Sequence, residues 1–260
     1  MAFLKAVYTI WYRDLLRFLR DRSRIVSSLG QPLLFLIVFG NGLAPAVAAG
    51  MGGVDFRAFL FPGILSMAVL FTAVFSAVSI VWDREFGFLK EVLVAPVSRT
   101  AVALGKVAGG STTAMIQGLL IMLLAPLVGV RFTPSQVITL IFMMILVAAT
   151  MTSFGILVAA RMRSMEGFHM IMNFLLMPMF FVSGAFFPLR QVPLWMEWLA
   201  RVDPLTYGVD AIRQTALRGL VPEPVLQVLV LHPMEVNLIA LIAFWMLFLV
   251  PAVWLFRKTE

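Results

Sequence analysis

Six long stretches almost without charge, at about 25–48, 58–81, 107–130, 135–160, 168–188 and 236–256, constrain this chain more than any other feature. Each holds the ~20 predominantly apolar residues that a helix needs to cross a bilayer's hydrocarbon core. None alternates apolar and polar residues with the two-residue period of outer-membrane strands. With 62% hydrophobic and 13% charged residues, there is also too little polar side chain to cover a water-soluble surface. The expected fold class is all-α: a single polytopic membrane protein with six transmembrane helices. Ala46-Val47-Ala48 imitates a signal-peptidase site, but the run before it is longer than the ~7–15 residues of a signal core, so the first span is expected to stay.

The polar segments between these runs carry the rest of the information. Residues 3–22 read as an amphipathic helix with Leu4, Val7, Trp11, Leu15 and Phe18 on one side and Arg13, Arg17 and Arg20 on the other. Such a helix lies in the plane of the interface, and 1–24 is assigned to the cytoplasmic leaflet. Lysine and arginine set the orientation. Fourteen flank the N-terminal segment, the 83–106 and 161–167 connections and the tail, whereas six lie on the opposite side. Both termini are therefore expected in the cytoplasm. The net charge of +7 is explained by anionic lipid headgroups and topology, with no call for nucleic acid.

The longest polar interruption near the middle is Trp82–Thr100. Read as a short cytoplasmic helix, it aligns Trp82, Phe86, Leu89 and Leu93 on one face. Pro96 stops it, and Ser98 or Thr100 caps the next helix. This pattern suits a docking element for a partner outside the membrane. The third span opens on small residues, and Gly105-x-x-x-Gly109 permits close helix approach, read as packing within the subunit.

The segment 189–235 is too long for a simple turn and too aromatic for disorder. Pro193 to Val202 reads as one short helix and Leu205 to Leu217 as a second, with Asp203-Pro204 as the break. Trp195, Trp198 and Tyr207 favour the headgroup boundary, so both helices are expected to be re-entrant in the outer leaflet. Irregular backbone there must be covered or line a cavity, which makes Trp195, Trp198, Asp203, Pro204 and Tyr207 a candidate external gate.

Several function classes lose support. No Asp, Glu, Lys or Arg sits near the centre of a predicted span, as an ion-coupled carrier would require. Cysteine is absent, His169 and His232 are far apart in sequence, and no H-E-x-x-H occurs, so neither a metal nor a catalytic site is expected. The 17 methionines, Met170, Met172, Met177 and Met179 among them, suit adaptable packing better than copper relay. No Gly-x-x-x-x-Gly-Lys-[Ser/Thr] loop is present to hold ATP.

Six spans, the basic N-terminal helix, Phe61-Pro62-Gly63, R-E-F-G-F-L-K-E-V-L-V-A-P-V-S-R (84–99) and F-F-P-L-R-Q-V-P-L-W-M-E-W-L-A-R-V-D-P-L-T-Y-G-V-D-A-I-R (186–213) together resemble the permease subunit of type-2 ABC exporters. The resemblance covers nearly the whole chain. It implies a homodimeric prokaryotic inner-membrane permease above two copies of a separate ABC ATPase, with ATP and magnesium held by that partner. It also implies that the 82–100 segment is the coupling helix, carried by Glu85, Phe86, Gly87, Leu89, Glu91, Leu93 and Pro96. Members often have threonine where this chain has Phe88. Within the family the chain looks most similar to drug-efflux and antibiotic-resistance permeases, with exporters of lipid-linked glycans as the alternative. Few charges in the spans and a phenylalanine-rich fifth span favour an amphipathic or lipid-like cargo, with Phe174, Phe180 and Phe181 as a candidate pathway. An ion-coupled carrier and a non-transporting scaffold are the readings from other classes.

Overall fold

The computed structural model describes residues 2–47, 54–86 and 98–258. Twelve α-helices occur among them: α1 (Ala2–Arg20), α2 (Arg22–Gly42), α3 (Ala44–Val47), α4 (Phe56–Ser76), α5 (Val78–Glu85), α6 (Arg99–Met122), α7 (Pro134–Ala159), α8 (Met165–Val182), α9 (Leu194–Val202), α10 (Pro204–Leu217), α11 (Glu223–Leu229) and α12 (Met234–Lys258). No strand occurs among the described residues, in keeping with the all-helical expectation. Among the described residues, five stretches are long and apolar enough to cross a membrane: Ile25–Gly42, Phe56–Glu85, Pro134–Ala159, Met165–Val182 and Glu223–Phe256.

Local chemistry explains the helix limits. Asp55 caps α4 by accepting the Arg57 N–H at 2.9 Å. Thr133 and Gln136 form a reciprocal capping box at the start of α7, where Pro134 occupies the first turn. Ser164 caps α8 through Gly167 N–H. At the end of α9, Asp203 accepts the Leu205 N–H and starts α10, with Pro204 at its first position. The break at Asp203-Pro204 thus falls where the sequence placed it.

Two boundaries differ from the sequence reading. Helix α6 begins at Arg99 and ends at Met122, followed by a 3-10 turn at Ala125–Val128, so the third apolar run is shifted toward the N-terminus of its expected 107–130 range. Its small and hydroxyl residues lower the hydropathy on which a window depends. Helix α5, joined to α4 with only a slight break at Ala77, runs on through Trp82, Asp83, Arg84 and Glu85. These four residues therefore close the second span's helix, whereas the sequence assigned them to a separate 82–100 helix.

The core forms where α4, α6, α7 and α12 pack on one another, with α10 wedged against α4, α7 and α12. Phe59, Leu65, Val69, Met144, Val147 and Met151 are buried there. Helix α2 leans on α4, and α1 lies along α6. Glycine makes the second contact possible: a Cβ at Gly105 would come within 2.8 Å of the Ile10 Cβ and 3.1 Å of the Val7 carbonyl. The small-residue face thus seats α1 of the same chain.

Candidate functional site

Charged groups gather at both ends of the bundle. At one end, Lys106 of α6 is 5% exposed and its Nζ lies 3.3 Å from Asp14 Oδ2 of α1 and 3.4 Å from Asp83 Oδ2 of α5. It also donates to Ser79 Oγ at 2.9 Å. Arg13 joins the same two carboxylates at 3.3 and 3.5 Å. A buried ammonium is stable only when paired and hydrogen-bonded, and here two carboxylates and a hydroxyl surround it. The cluster ties α1 to α5 and α6.

The adjoining residues grip a fourth element. Arg84 Nη1 donates to the carbonyls of Met162 at 2.6 Å and Ala159 at 3.3 Å. Glu85 Oε2 accepts the backbone N–H of Met165 at 3.0 Å, at the positive end of α8. The end of α5 is thereby fastened to the turn between α7 and α8. Phe86 follows, exposed, its ring 4.7 Å from that of Trp82. Of the residues expected to couple to a partner, Glu85 and Phe86 sit at this end. Gly87, Leu89, Glu91, Leu93 and Pro96 lie outside the described residues.

The residues expected on the interfacial helix take different roles. Trp11 turns inward, its Nε1 donating to Thr112 Oγ1 at 2.9 Å. Arg13 belongs to the charge cluster. Arg17 lies 5.9 Å from the centre of the Trp82 ring, and Arg20 is exposed one turn further on.

At the other end, α9 turns Leu194, Trp195, Trp198 and Leu199 outward, with the two tryptophans 64% and 65% exposed. Arg201 reaches back to Glu197 at 2.6 Å and lies 5.5 Å from the Trp198 ring centre. Helix α10 is its opposite, buried along most of its length. Tyr207 hydroxyl donates to the Arg201 carbonyl at 2.7 Å, and its ring stacks on His232 at 5.2 Å. Asp203 is buried; its Oδ1 holds the Leu205 N–H, while Oδ2 has no partner among the described residues. Burial pushes this carboxyl up to about 8, partly offset by the Leu205 hydrogen bond.

Two further ionisable residues of α10 were not singled out by sequence. Asp210 accepts three N–H groups: Leu231 N at 2.7 Å, His232 N at 2.9 Å and Asn237 Nδ2 at 2.9 Å. Arg213, 2% exposed, donates to the Gly184 and Ala185 carbonyls at 2.8 and 3.2 Å and lies 4.1 Å from the centre of the Phe59 ring. The spacing of Asp210 and Arg213 along the buried side of a short helix was the available signal.

The three pathway phenylalanines differ in exposure, and the rings of Phe180 and Phe181 lie 5.9 Å apart with Phe186 against both. Phe174 and Phe181 are exposed at 77% and 44%, two turns apart on α8. Phe180 is fully buried in an aromatic group with Phe35, Phe71 and Phe186.

An all-helical bundle with several membrane-length apolar helices, and with its ionic groups collected at the ends, has the form of a polytopic membrane protein. Residues 5–217 match the ABC-2 type transporter family, and the chain belongs to that family. It is 30% identical over 216 residues to a protein named transport permease ycf38 from Cyanophora paradoxa, covering 81% of this chain and 74% of that one. Inner membrane transport permease YadH of Escherichia coli strain K12 is 26% identical over 213 residues, covering 80% and 81% of the two chains. Nodulation protein J of Rhizobium leguminosarum bv. viciae is 27% identical over 214 residues, with 80% and 81% covered. Family members are transmembrane subunits, generally not catalytic, that work with a separate ABC ATPase on which ATP is hydrolysed.

Proposed function

We propose that this chain is the permease subunit of an ATP-driven exporter that moves an amphipathic drug or lipid-like molecule outward from the cytoplasm or inner leaflet. The observation that carries this reading is the pair of fastenings at the end of α5. Asp83 is bound to α1 and α6, and Arg84 and Glu85 to the α7–α8 turn, immediately before the 87–97 connection. A displacement of that connection by a partner would be passed to four elements at once, as a lever requires. In this reading α6 is the third of six crossings, both termini are cytoplasmic, and two copies of the chain form the translocation unit in a prokaryotic inner membrane. Two ATPase subunits hold ATP and magnesium, and the inner connection docks on them through Glu85, Phe86, Gly87, Leu89, Glu91, Leu93 and Pro96. Helices α9 and α10 form the outer re-entrant pair, supported by the tryptophan-rich face of one and the buried face of the other.

Co-purification with a candidate ABC ATPase, followed by ATP hydrolysis and transport assays in lipid vesicles, tests the assignment. Leu89→Asp and Glu85→Ala are expected to leave expression intact and to uncouple ATP hydrolysis from transport. Wild-type transport by both variants would refute it.

A further inference from the structure

A hollow of about 470 Å³ opens where the start of α7, the end of α10 and the start of α12 meet. That volume falls within the range of about 300–1,000 Å³ usual for small-molecule sites. Ser135 and Thr139 of α7, Gln214 of α10, Arg218 just beyond it and Glu235 of α12 line it. Its wall is fixed, because the Gln136 amide donates to the Thr215 carbonyl at 3.1 Å and the Arg218 carbonyl at 2.7 Å, fastening α10 to α7.

The hollow holds unmet polar groups of both signs. Arg218 and Glu235 are exposed, and neither side chain makes an ion pair or hydrogen bond among the described residues. Gln214 Oε1 is buried and has no donor among the described residues. A buried acceptor left unpaired is costly, so the amide oxygen and the carboxylate together suit a ligand with several N–H groups. The guanidinium suits a phosphate.

Apolar stripes run from the same place. On α7, exposed Ile138, Phe142 and Ile145 follow Ser135 on one helix face. On α12, exposed Ile239, Ile242 and Met246 follow Glu235 in the same way. Both stripes belong to stretches long and apolar enough to cross a membrane, and α7 and α12 pack on one another. A polar hollow at the head of two such stripes has the order of a phospholipid, headgroup first and acyl chains after.

We infer that this hollow binds the headgroup of one phospholipid that carries both a phosphate and a primary ammonium, phosphatidylethanolamine. Arg218 takes the phosphate, Glu235 and Gln214 Oε1 accept from the ammonium, and the acyl chains lie on the stripes of α7 and α12. A choline nitrogen donates no hydrogen bond and is held by aromatic cages, and no aromatic side chain lines this hollow among the described residues. A glycerol headgroup brings a phosphate without the cation that Glu235 needs. Calling the leaflet the outer one rests on both termini being cytoplasmic; the binding chemistry does not.

Native mass spectrometry of the purified full-length permease tests it, with dioleoyl phosphatidylethanolamine, phosphatidylcholine and phosphatidylglycerol titrated separately. Phosphatidylethanolamine is expected to be retained, one per chain, at collision energies that strip the other two. Arg218→Gln should lower that retention about tenfold, the worth of a charge-assisted hydrogen bond. Glu235→Gln should narrow the preference over phosphatidylglycerol. Thr139→Trp, which fills the hollow and leaves both charges in place, should also release the lipid and keeps the test open if a charge variant does not fold. Equal retention of the three lipids, or undiminished phosphatidylethanolamine retention in folded Arg218→Gln or Thr139→Trp, overturns the inference. So does stoichiometric displacement of the lipid by O-phosphoethanolamine, which has no acyl chains and would mark a site for a soluble zwitterion. Neither ATPase nor cargo is present in this measurement, so its failure leaves the export reading standing.

Discussion

The carboxylate of Glu85 accepts the backbone N–H of Met165 at 3.0 Å, across 80 residues of sequence. This contact places the last residue of α5 at the first residue of α8, while the neighbouring Arg84 binds the carbonyls that end α7. Both sides of one connection are therefore held by consecutive residues of another.

Removing that acceptor leaves the first turn of α8 with only the Ser164 hydroxyl on its unpaired N–H groups. Glu85→Ala is expected to lower stability by about 1 kcal/mol, the usual worth of a charge-assisted hydrogen bond at a helix N-terminus. Glu85→Gln, which keeps an oxygen acceptor, should recover about half. Thermal unfolding of the purified permease in one detergent measures both, and equal stability of wild type and Glu85→Ala would show that the contact adds nothing.

The buried cation gives a larger effect. Lys106→Met leaves the Asp14 and Asp83 carboxylates with Arg13, a more exposed cation, as their remaining counter-charge, and breaking one side of a buried pair costs about 3 kcal/mol. Adding Asp14→Asn to Lys106→Met removes one of those charges and should restore part of the loss. Melting temperatures of the two variants decide it: a double variant no more stable than the single one contradicts the described balance of charge.

Asp203 makes stability depend on pH. Its folded-state value of about 8 lies above the ordinary 3.8, so the folded chain binds a proton that the unfolded chain releases. Stability from this group is fully present below about pH 4 and is lost as pH rises toward 8. Asp203→Asn keeps an acceptor for the Leu205 N–H and should flatten this dependence. Asp203→Ala should flatten it too but lose about 1 kcal/mol with the cap. Unfolding midpoints between pH 5 and 9 check this, and a wild-type curve parallel to that of Asp203→Asn would contradict the buried neutral carboxyl.

The apolar architecture was legible because hydrocarbon burial leaves a composition signal that a sequence window can read. The Asp203-Pro204 break was legible for a local reason: proline cannot continue a helix and aspartate caps the next one. The start of α6 was not, since its glycine, serine and threonine residues carry little hydropathy, and Gly105 and Gly109 are there to admit α1. Lys106 was counted with the cations of a connection, yet it sits inside α6 between Gly105 and Gly109, and only the approach of α1 and α5 makes it a buried ion. Asp210 and Arg213 were overlooked for the same reason: their partners Leu231 and Gly184 lie far along the chain. Pair formation across long separations leaves no periodic mark. The three phenylalanines Phe174, Phe180 and Phe181 looked alike by residue type, and only the rotation of α8 divides them between surface and interior.

The three donors on Asp210 have a mechanical meaning. They come from the backbone just before α12 and from Asn237 within it, so the buried helix α10 is riveted to the head of α12. Peeling α10 away by itself would strip a carboxylate of all three hydrogen bonds in a nearly dry setting. Moving the two together breaks none of these three, so α10 and the start of α12 are joined as one mechanical unit.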